Sequence, residues 1–425
     1  MKLGALVIFF IAGCFMSGIA NADNFAAQQG SPTFYYSLEL QDYVKTIAKY
    51  QPETASLKKR LLNTIEYYKK IHILKTINKI NYTVDCIPFA EQPTLINQAP
   101  DKMMLEAVKT RTKNNLVALK KMGDNFDVNP ASQCPLGSVA LLRPSRVILT
   151  SKQANKKRAP GRAIPTYSPT RILGGYSYEL GENHSGELIS ILTDANQAYF
   201  KGPQNQFVEK NNAVDHSLDQ FWFTNNTYQQ ATPVYSVEFG IIASAYFTNT
   251  ASTSIFVFAS VDNYGNSSCY NIECGNFVQF PNTPVLGSPA NTGLDYIFQV
   301  SHTTLNQYLN NAAYYLTLVT HNSSNNNPGN SSSILLGYFA DSIYPSALDL
   351  PQYFSAGSEV YSDRPHNGTR MYGNYMTPYV GYMGALQIQF SSENHNFFPY
   401  YTSNGPAPYG LIWHLGQAQT NRVEP

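Results

Sequence analysis

The sequence predicts an all-β domain, an antiparallel β-sandwich, preceded by a small α+β domain. Three observations lead there. From Ile172 onward, short runs rich in Val, Ile, Phe and Tyr alternate with Gly, Asn, Pro and Ser clusters. Helical periodicity is concentrated before residue 80. Charge changes sign at Arg171: residues 1–171 carry 24 basic and 11 acidic side chains, net +13, whereas residues 172–425 carry 5 and 17, net −12. The total of +1 conceals that division, and 425 residues exceed one ordinary domain.

The chain opens on Lys2, an apolar run from Leu3 to Met16, and small residues up to Ala22. This predicts a secretory signal peptide over residues 1–22, too short to span a bilayer. Ile11-Ala12-Gly13-Cys14 offers a competing lipoprotein box with Cys14 lipidated, but Phe15 and Met16 continue the apolar run. The expected location is secreted, extracellular or periplasmic. A multi-span membrane protein is excluded, because no second long apolar run exists.

Residues 23–150 form the basic amino-terminal domain. Leu61, Leu62, Ile65, Tyr68, Ile71 and Leu74 recur at three- and four-residue steps, one face of an amphipathic helix within a helical region over 36–80. Pro52 stands where such a helix begins. Residues 82–150, with runs such as Val139–Leu142 and Val147–Thr150, suit a few strands. Residues 151–171 are basic, rich in Pro and lack apolar periodicity, which predicts an exposed linker. Lys156-Lys157-Arg158 within it suits a processing protease.

Residues 172–425 read as strands, among them Ser252–Val261, Tyr314–Thr320, Ile334–Phe339 and Ala385–Phe390. The Asn-rich stretch His321–Ser333 reads as a hairpin loop. Many short strands with turn signals and few helical patterns predict the β-sandwich.

Nucleic acid is excluded as a partner of the larger half, which has 5 Lys and Arg to neutralise phosphate. Disorder is excluded by 31 Tyr and 23 Phe available for burial. There is no Gly-x-Ser-x-Gly elbow, His-Glu-x-x-His helix or phosphate loop, and the eight histidines sit in no nucleophile motif. Export permits disulfides, and Cys86, Cys134, Cys269 and Cys274 allow three pairings. The charge division favours one bridge per half, Cys86–Cys134 and Cys269–Cys274. Cys269-x4-Cys274 lacks a nearby second Cys or His pair, so no metal is expected, and no cofactor. With the thiols paired, carboxylates remain as the acid–base groups. Glu238 lies in the apolar segment Val234–Gly240, and Glu359 in Ser355–Tyr361, small residues leading into a strand. Brought together where cations are scarce, two carboxylates do not both ionise cheaply, so one keeps its proton. That supplies one base and one acid.

The segment Ser252–Phe280 resembles the signature of the neprosin family of glutamic peptidases. The matching residues are Asp262, Tyr264, Cys269, Tyr270, Asn271, Cys274, Gly275, Phe277, Val278 and Gln279, with one extra residue, Asn276. Leu74–Lys79, Asp85-Cys86-Ile87, Gln92-Pro93 and Cys134-Pro135-x-Gly137-Ser138-Val139 resemble that family's amino-terminal activation peptide. Ser217–Trp222 is similar to the strand before the first catalytic Glu, and Val237-Glu238-Phe239-Gly240 falls at that Glu. Ile334–Phe339 is similar to the family's Val-Gly-Tyr-Trp strand. Ala356-Gly357-Ser358-Glu359-Val360 takes the place of the Gly-Gly-Glu-Val motif with the second Glu, and Thr369–Gly373 follows it. Departures are Phe239-Gly240-Ile241 where Ala-Gly-Trp is common, Ser358 for a Gly, and no cysteine pair near the carboxyl terminus.

The resemblance implies an acid-active endopeptidase cutting after Pro, made as a zymogen, with a water held between Glu238 and Glu359. Glu238 is expected as the base. Gln220, Trp222, Tyr338 and Tyr372 are expected around the substrate. The expected partners are a protein or peptide substrate and the chain's own amino-terminal segment as intramolecular inhibitor, in a monomer. The +13 segment is expected to hold the −12 domain by charge and to loosen in acid. Two other classes fit part of the pattern: a two-carboxylate glycoside hydrolase, and a non-catalytic carbohydrate-binding β-sandwich. Asn-x-Ser/Thr sites fall at Asn81, Asn183, Asn225, Asn266, Asn322, Asn330 and Asn367.

Overall fold

The computed structural model describes residues 40–49, 55–80, 82–96, 100, 102–122, 134–144, 170–179, 188–194, 216–225, 235–244, 247, 253–262, 268–273, 275–290, 294–303, 313–322, 332–340, 343, 353–362, 382–390, 398–403, 414–415 and 419–422. The expected signal peptide, Cys14, Pro52, Lys156-Lys157-Arg158, Cys274 and Tyr372 lie outside them.

Helices α1 (Leu40–Ala48) and α2 (Ala55–Lys70) bury Tyr43, Ile47, Leu61, Ile65 and Tyr68. The predicted apolar face is therefore present but narrower, since Leu62 and Leu74 are exposed. The helical region also ends sooner than residue 80. Leu74 N donates to Cys86 O at 2.8 Å, and Lys75–Asn78 becomes strand β1, because pairing with a partner strand outweighs weak helical propensity.

Strand β1 pairs antiparallel with β2 (Thr83–Pro88), and β2 with β3 (Ser138–Leu142), giving a three-stranded sheet. Period-two alternation divides its side chains between two layers. Ile87, Val139 and Leu141 join the cluster that includes the helical Tyr43, Ile47, Leu61, Ile65 and Tyr68. Ile77, Val84, Cys86, Ala140 and Leu142 lie on the opposite face, in a second cluster. Asp85, on the helix side, holds Arg143 at 2.7 Å from Nε and 2.6 Å from Nη2, with both side chains fully buried. Thr76 Oγ1 donates to Asp85 Oδ1 at 2.8 Å, and the guanidinium stands 5.3 Å from the Tyr43 ring centre. Burial alone would pull the Arg143 pKa down, but the hydrogen bond and charge of Asp85 outweigh it and hold the pKa above its ordinary value. Cys86 and Cys134 form a disulfide, which fits an extracellular protein. Cys269 is also disulfide-bonded.

Helix α3 (Lys102–Met122) stands where strands were expected. Its buried positions Met104, Val108, Thr112, Asn115 and Leu119 keep helical spacing, but two of them are polar, so the apolar signal is broken. Asn115 Nδ2 donates to Pro281 O at 3.2 Å and Leu335 O at 3.1 Å, which explains how an amide can occupy that face.

The remaining strands are β4 (Thr170–Glu179), β5 (Leu188–Asp194), β6 (His216–Thr224), β7 (Ser236–Ser244), β8 (Thr253–Ser260), β9 (Cys269–Tyr270) and β10 (Phe277–Gln279). They continue as β11 (Leu294–Thr303), β12 (Ala313–Asn322), β13 (Ser332–Ala340), β14 (Tyr353–Ser362), β15 (Tyr382–Phe390), β16 (Phe398–Ser403), β17 (His414–Leu415) and β18 (Gln419–Arg422). Thr170 and Arg171, expected at the end of the linker, already pair within β4. A seven-stranded sheet runs β16-β4-β14-β6-β7-β8-β9. An eight-stranded sheet runs β10-β13-β12-β11-β5-β15-β17, with β18 also on β15. Pairing is antiparallel except at β17 and β18, which join β15 in parallel.

One face of the seven-stranded sheet supplies Phe221, Phe223, Val237, Phe239, Ile241, Ile255 and Val257 to a core shared with Tyr296, Phe298, Leu316, Leu318, Ile334 and Leu336 of the other sheet. The described residues are thus mostly β, as the short apolar runs between turn clusters predict. The opposite face of the seven-stranded sheet is covered as well. Leu218, Ile242, Phe256, Phe258 and Tyr270 share a cluster with Ile77, Val84, Cys86, Ala140 and Leu142 of the amino-terminal sheet. Gly287 marks how closely the two parts meet. It has φ +83, and a Cβ there would stand 2.9 Å from Leu142 Cδ2, so this turn suits glycine alone.

Candidate active site

Strand β7 reads Ser236-Val237-Glu238-Phe239-Gly240-Ile241-Ile242. Val237, Phe239 and Ile241 enter the core between the large sheets, which leaves Ser236, Glu238, Gly240 and Ile242 on the other face. A carboxylate there would ordinarily meet solvent. Here Glu238 is 0% exposed, on the face that the amino-terminal sheet covers. Ser236 Oγ, also fully buried, donates to Glu238 Oε1 at 2.9 Å.

Register places the other expected residues. Trp222 of β6 lies opposite Glu238 on one side and Ser355 on the other. Glu359 of β14 lies opposite Leu218 of the same strand β6. Directly opposed residues share a face in an antiparallel ladder, and so do residues two apart. Glu238 and Glu359 therefore occupy one face, on the two strands flanking β6, offset by the four residues from Leu218 to Trp222. Their Cα atoms are separated by roughly 13 Å along the strands and about 10 Å across them.

Between the two glutamates lies a row with almost no side chains. Gly175 of β4 opposes Gly357 of β14, Gly357 opposes Gln220 of β6, and Gln220 opposes Gly240 of β7. Glycines lacking Cβ make a shallow trough across four strands. Gln220, 1% exposed, stands within it. It is the diagonal neighbour of Glu238 on one side and of Glu359 on the other.

Tyr338 is not brought to this face. It lies in β13 of the eight-stranded sheet, with ring centres 5.5 Å from Tyr315 and 5.9 Å from Phe280. Its ring packs among these aromatic neighbours. Among the described residues, no three His, Cys, Asp or Glu side chains gather in a way that could hold a metal ion.

The sequence reading did not single out Ser236 or the glycine row. The two-residue step from Ser236 to Glu238 carried the first, because on a strand it puts both on one face. The glycine row required the pairing of four strands. The Asn of the Cys-Tyr-Asn motif has a structural role that the motif alone conceals. Asn271 adopts φ 52, its N donates to Val257 O at 2.7 Å, and its Oδ1 accepts from Val257 N at 3.1 Å, fastening the loop to β8.

Residues 213–405 match the family model described as Neprosin. The matched span runs from just before β6 through β16 and contains Gln220, Trp222, Glu238, the Cys269–Gln279 loop and Glu359. This match supports membership of the neprosin family and points to a peptidase-like function.

Proposed function

We propose that this chain is a secreted glutamic endopeptidase made as a zymogen. Residues 1–22 direct export. Residues 172–425 form a β-sandwich catalytic domain. The α+β amino-terminal domain, residues 23–150, occludes the site until the linker, 151–171, is cut. The observation that carries the reading is the placement of Glu238 and Glu359 on one face by strand register, with Glu238 fully buried where Leu218, Ile242 and Phe258 of that face pack with the amino-terminal sheet.

In the mature enzyme a peptide lies along the trough. Ionised Glu238 takes a proton from a water as its oxygen attacks the scissile carbonyl carbon. Protonated Glu359 hydrogen-bonds the developing oxyanion, and the C–N bond breaks as a proton reaches the leaving amine. Gln220, between the two carboxylates, offers its amide to the substrate backbone. Without the cover, both carboxylates meet water and substrate, so occlusion and inhibition are one event. Acid neutralises carboxylates of the −12 half that attract the +13 segment. The neutral hydrogen bonds of Gln92, Thr94 and Asn115 across the boundary are not weakened by that titration.

The test is digestion of a Pro-rich unfolded protein at pH 3, with cut sites read by mass spectrometry for the wild type, Glu238→Gln and Glu359→Gln. Cuts after Pro that fall about 100-fold or more in both variants are expected. Cuts at other residues that still need both glutamates would discard the Pro preference alone. No cleavage after trimming in the linker would overturn the peptidase reading in favour of a carbohydrate-directed one.

A further inference from the structure

We infer that Ser236 is a positioning residue for Glu238, holding its carboxylate in the orientation that the hydrolytic step needs; this rests on the peptidase reading above. Glu238 Oε1 accepts the Ser236 hydroxyl at 2.9 Å, and both residues are fully buried. A hydroxyl that donates to a carboxyl oxygen in a water-poor site holds it more firmly than the same bond would in water. It fixes the side-chain torsions of a residue that otherwise has three to order. The strand makes the pairing inevitable, since residues two apart share a face.

Ser236 is itself backed by polar neighbours. Across the sheet it lies opposite Thr224 of β6 and Ser260 of β8, both buried. Ser268 Oγ lies 3.4 Å from Ser260 Oγ and 2.6 Å from Asp262 Oδ1. Ser268 has one hydroxyl proton, and the 2.6 Å contact with a carboxylate claims it. The Ser236 proton stays on Glu238. A polar row thus runs through Ser236, Ser260 and Ser268 to Asp262 on a face otherwise filled by Leu218, Phe256 and Phe258. It sits beside the carboxylate assigned to activate water, where a loss of orientation costs rate more than binding.

The experiment compares wild type, Ser236→Ala, Ser236→Thr, Ser236→Cys and Glu238→Gln on one Pro-containing peptide at pH 3. Rates are referred to the fraction of chain processed on a gel. Ser236→Ala and Ser236→Cys are expected to lower kcat about 10- to 100-fold with KM nearly unchanged, because a bond to a charged group is lost. Ser236→Thr, which keeps the hydroxyl and favours a strand, is expected to restore most of kcat. Ala and Cys variants with wild-type kcat, beside an inactive Glu238→Gln, would overturn this inference and leave the peptidase reading standing. A Thr variant that folds but is as slow as Ala would also overturn it. Should Ala fail to fold, the near-isosteric Cys variant decides. A wild type that cleaves nothing, or a fully active Glu238→Gln, would overturn the peptidase reading and this inference with it.

Discussion

Gln92 and Gln279 close the edge of the eight-stranded sheet between them: Gln92 Nε2 donates to Gln279 O at 3.1 Å, and Gln92 Oε1 accepts from Gln279 N at 2.8 Å. One primary amide thereby replaces a neighbouring strand for β10, and Thr94 Oγ1 adds a bond to Phe277 O at 2.6 Å. The amino-terminal domain covers an exposed strand edge here as well as the face of Glu238, which makes it part of the folded unit. Gln92→Ala leaves a buried N–H and C=O of Gln279 without these bonds. It is expected to cost about 2–3 kcal/mol of stability and to speed release of the amino-terminal segment in acid. Urea unfolding and the rate of maturation at pH 3 check both.

The Tyr68 hydroxyl is buried with no hydrogen-bond partner among the described residues, while its ring packs edge-on against Tyr43 at 5.5 Å and Tyr67 at 5.6 Å. Tyr68→Phe keeps the ring and removes the unsatisfied group. It is expected to raise stability by about 1 kcal/mol, read as a higher urea midpoint.

Burial first, and then the charge of Glu91 beside Tyr67 and of Asp85 beside Tyr68, push both tyrosine pKa values above the ordinary range. A folded pKa raised above its unfolded value stabilises the fold below the unfolded pKa, and that contribution is lost as pH rises. The amino-terminal domain is therefore expected to weaken above about pH 10, with tyrosinate absorbance and loss of helical circular dichroism rising together. Titration of these tyrosines near pH 10 without unfolding would contradict the placement of their rings.

Asp85 and Arg143 illustrate a buried ion pair whose halves depend on one another. Asp85→Asn leaves the guanidinium with no carboxylate at 0% exposure and is expected to cost about 3–5 kcal/mol. Replacing both together with Asn and Met is expected to cost less than Asp85→Asn alone, a double-mutant comparison by urea unfolding.

Filling the trough tests the proposed substrate path without touching a carboxylate. Gly357→Val puts a branched side chain beside Gln220, and is expected to lower kcat/KM about tenfold or more on long peptides while unfolding stays within about 1 kcal/mol. Unaltered cleavage would place the substrate elsewhere on the sheet.

Local pattern determined much of this molecule. Short runs rich in Val, Ile, Phe and Tyr marked β8, β12 and β13, and the spacing of Leu61, Ile65 and Tyr68 marked α2. Strands and amphipathic helices announce themselves because their periodicity is carried by residues close in sequence. The charge division suggested the Cys86–Cys134 bridge, and Glu238 stood out for its apolar segment and Glu359 for the small residues before it. Thr112 and Asn115 hid α3, since their place on a buried face makes sense only against the carbonyls of Pro281 and Leu335. Whether Glu238 faced solvent or a cover was likewise undecidable from β7 alone. That depended on a sheet built from residues 75–142, far earlier in the chain, folding onto it. The trough of Gly175, Gly357 and Gly240 required three strand registers at once. Sequence speaks for the elements, whose forces are local. Tertiary structure alone decided which faces meet, because that is set by burial and pairing between residues far apart in the chain.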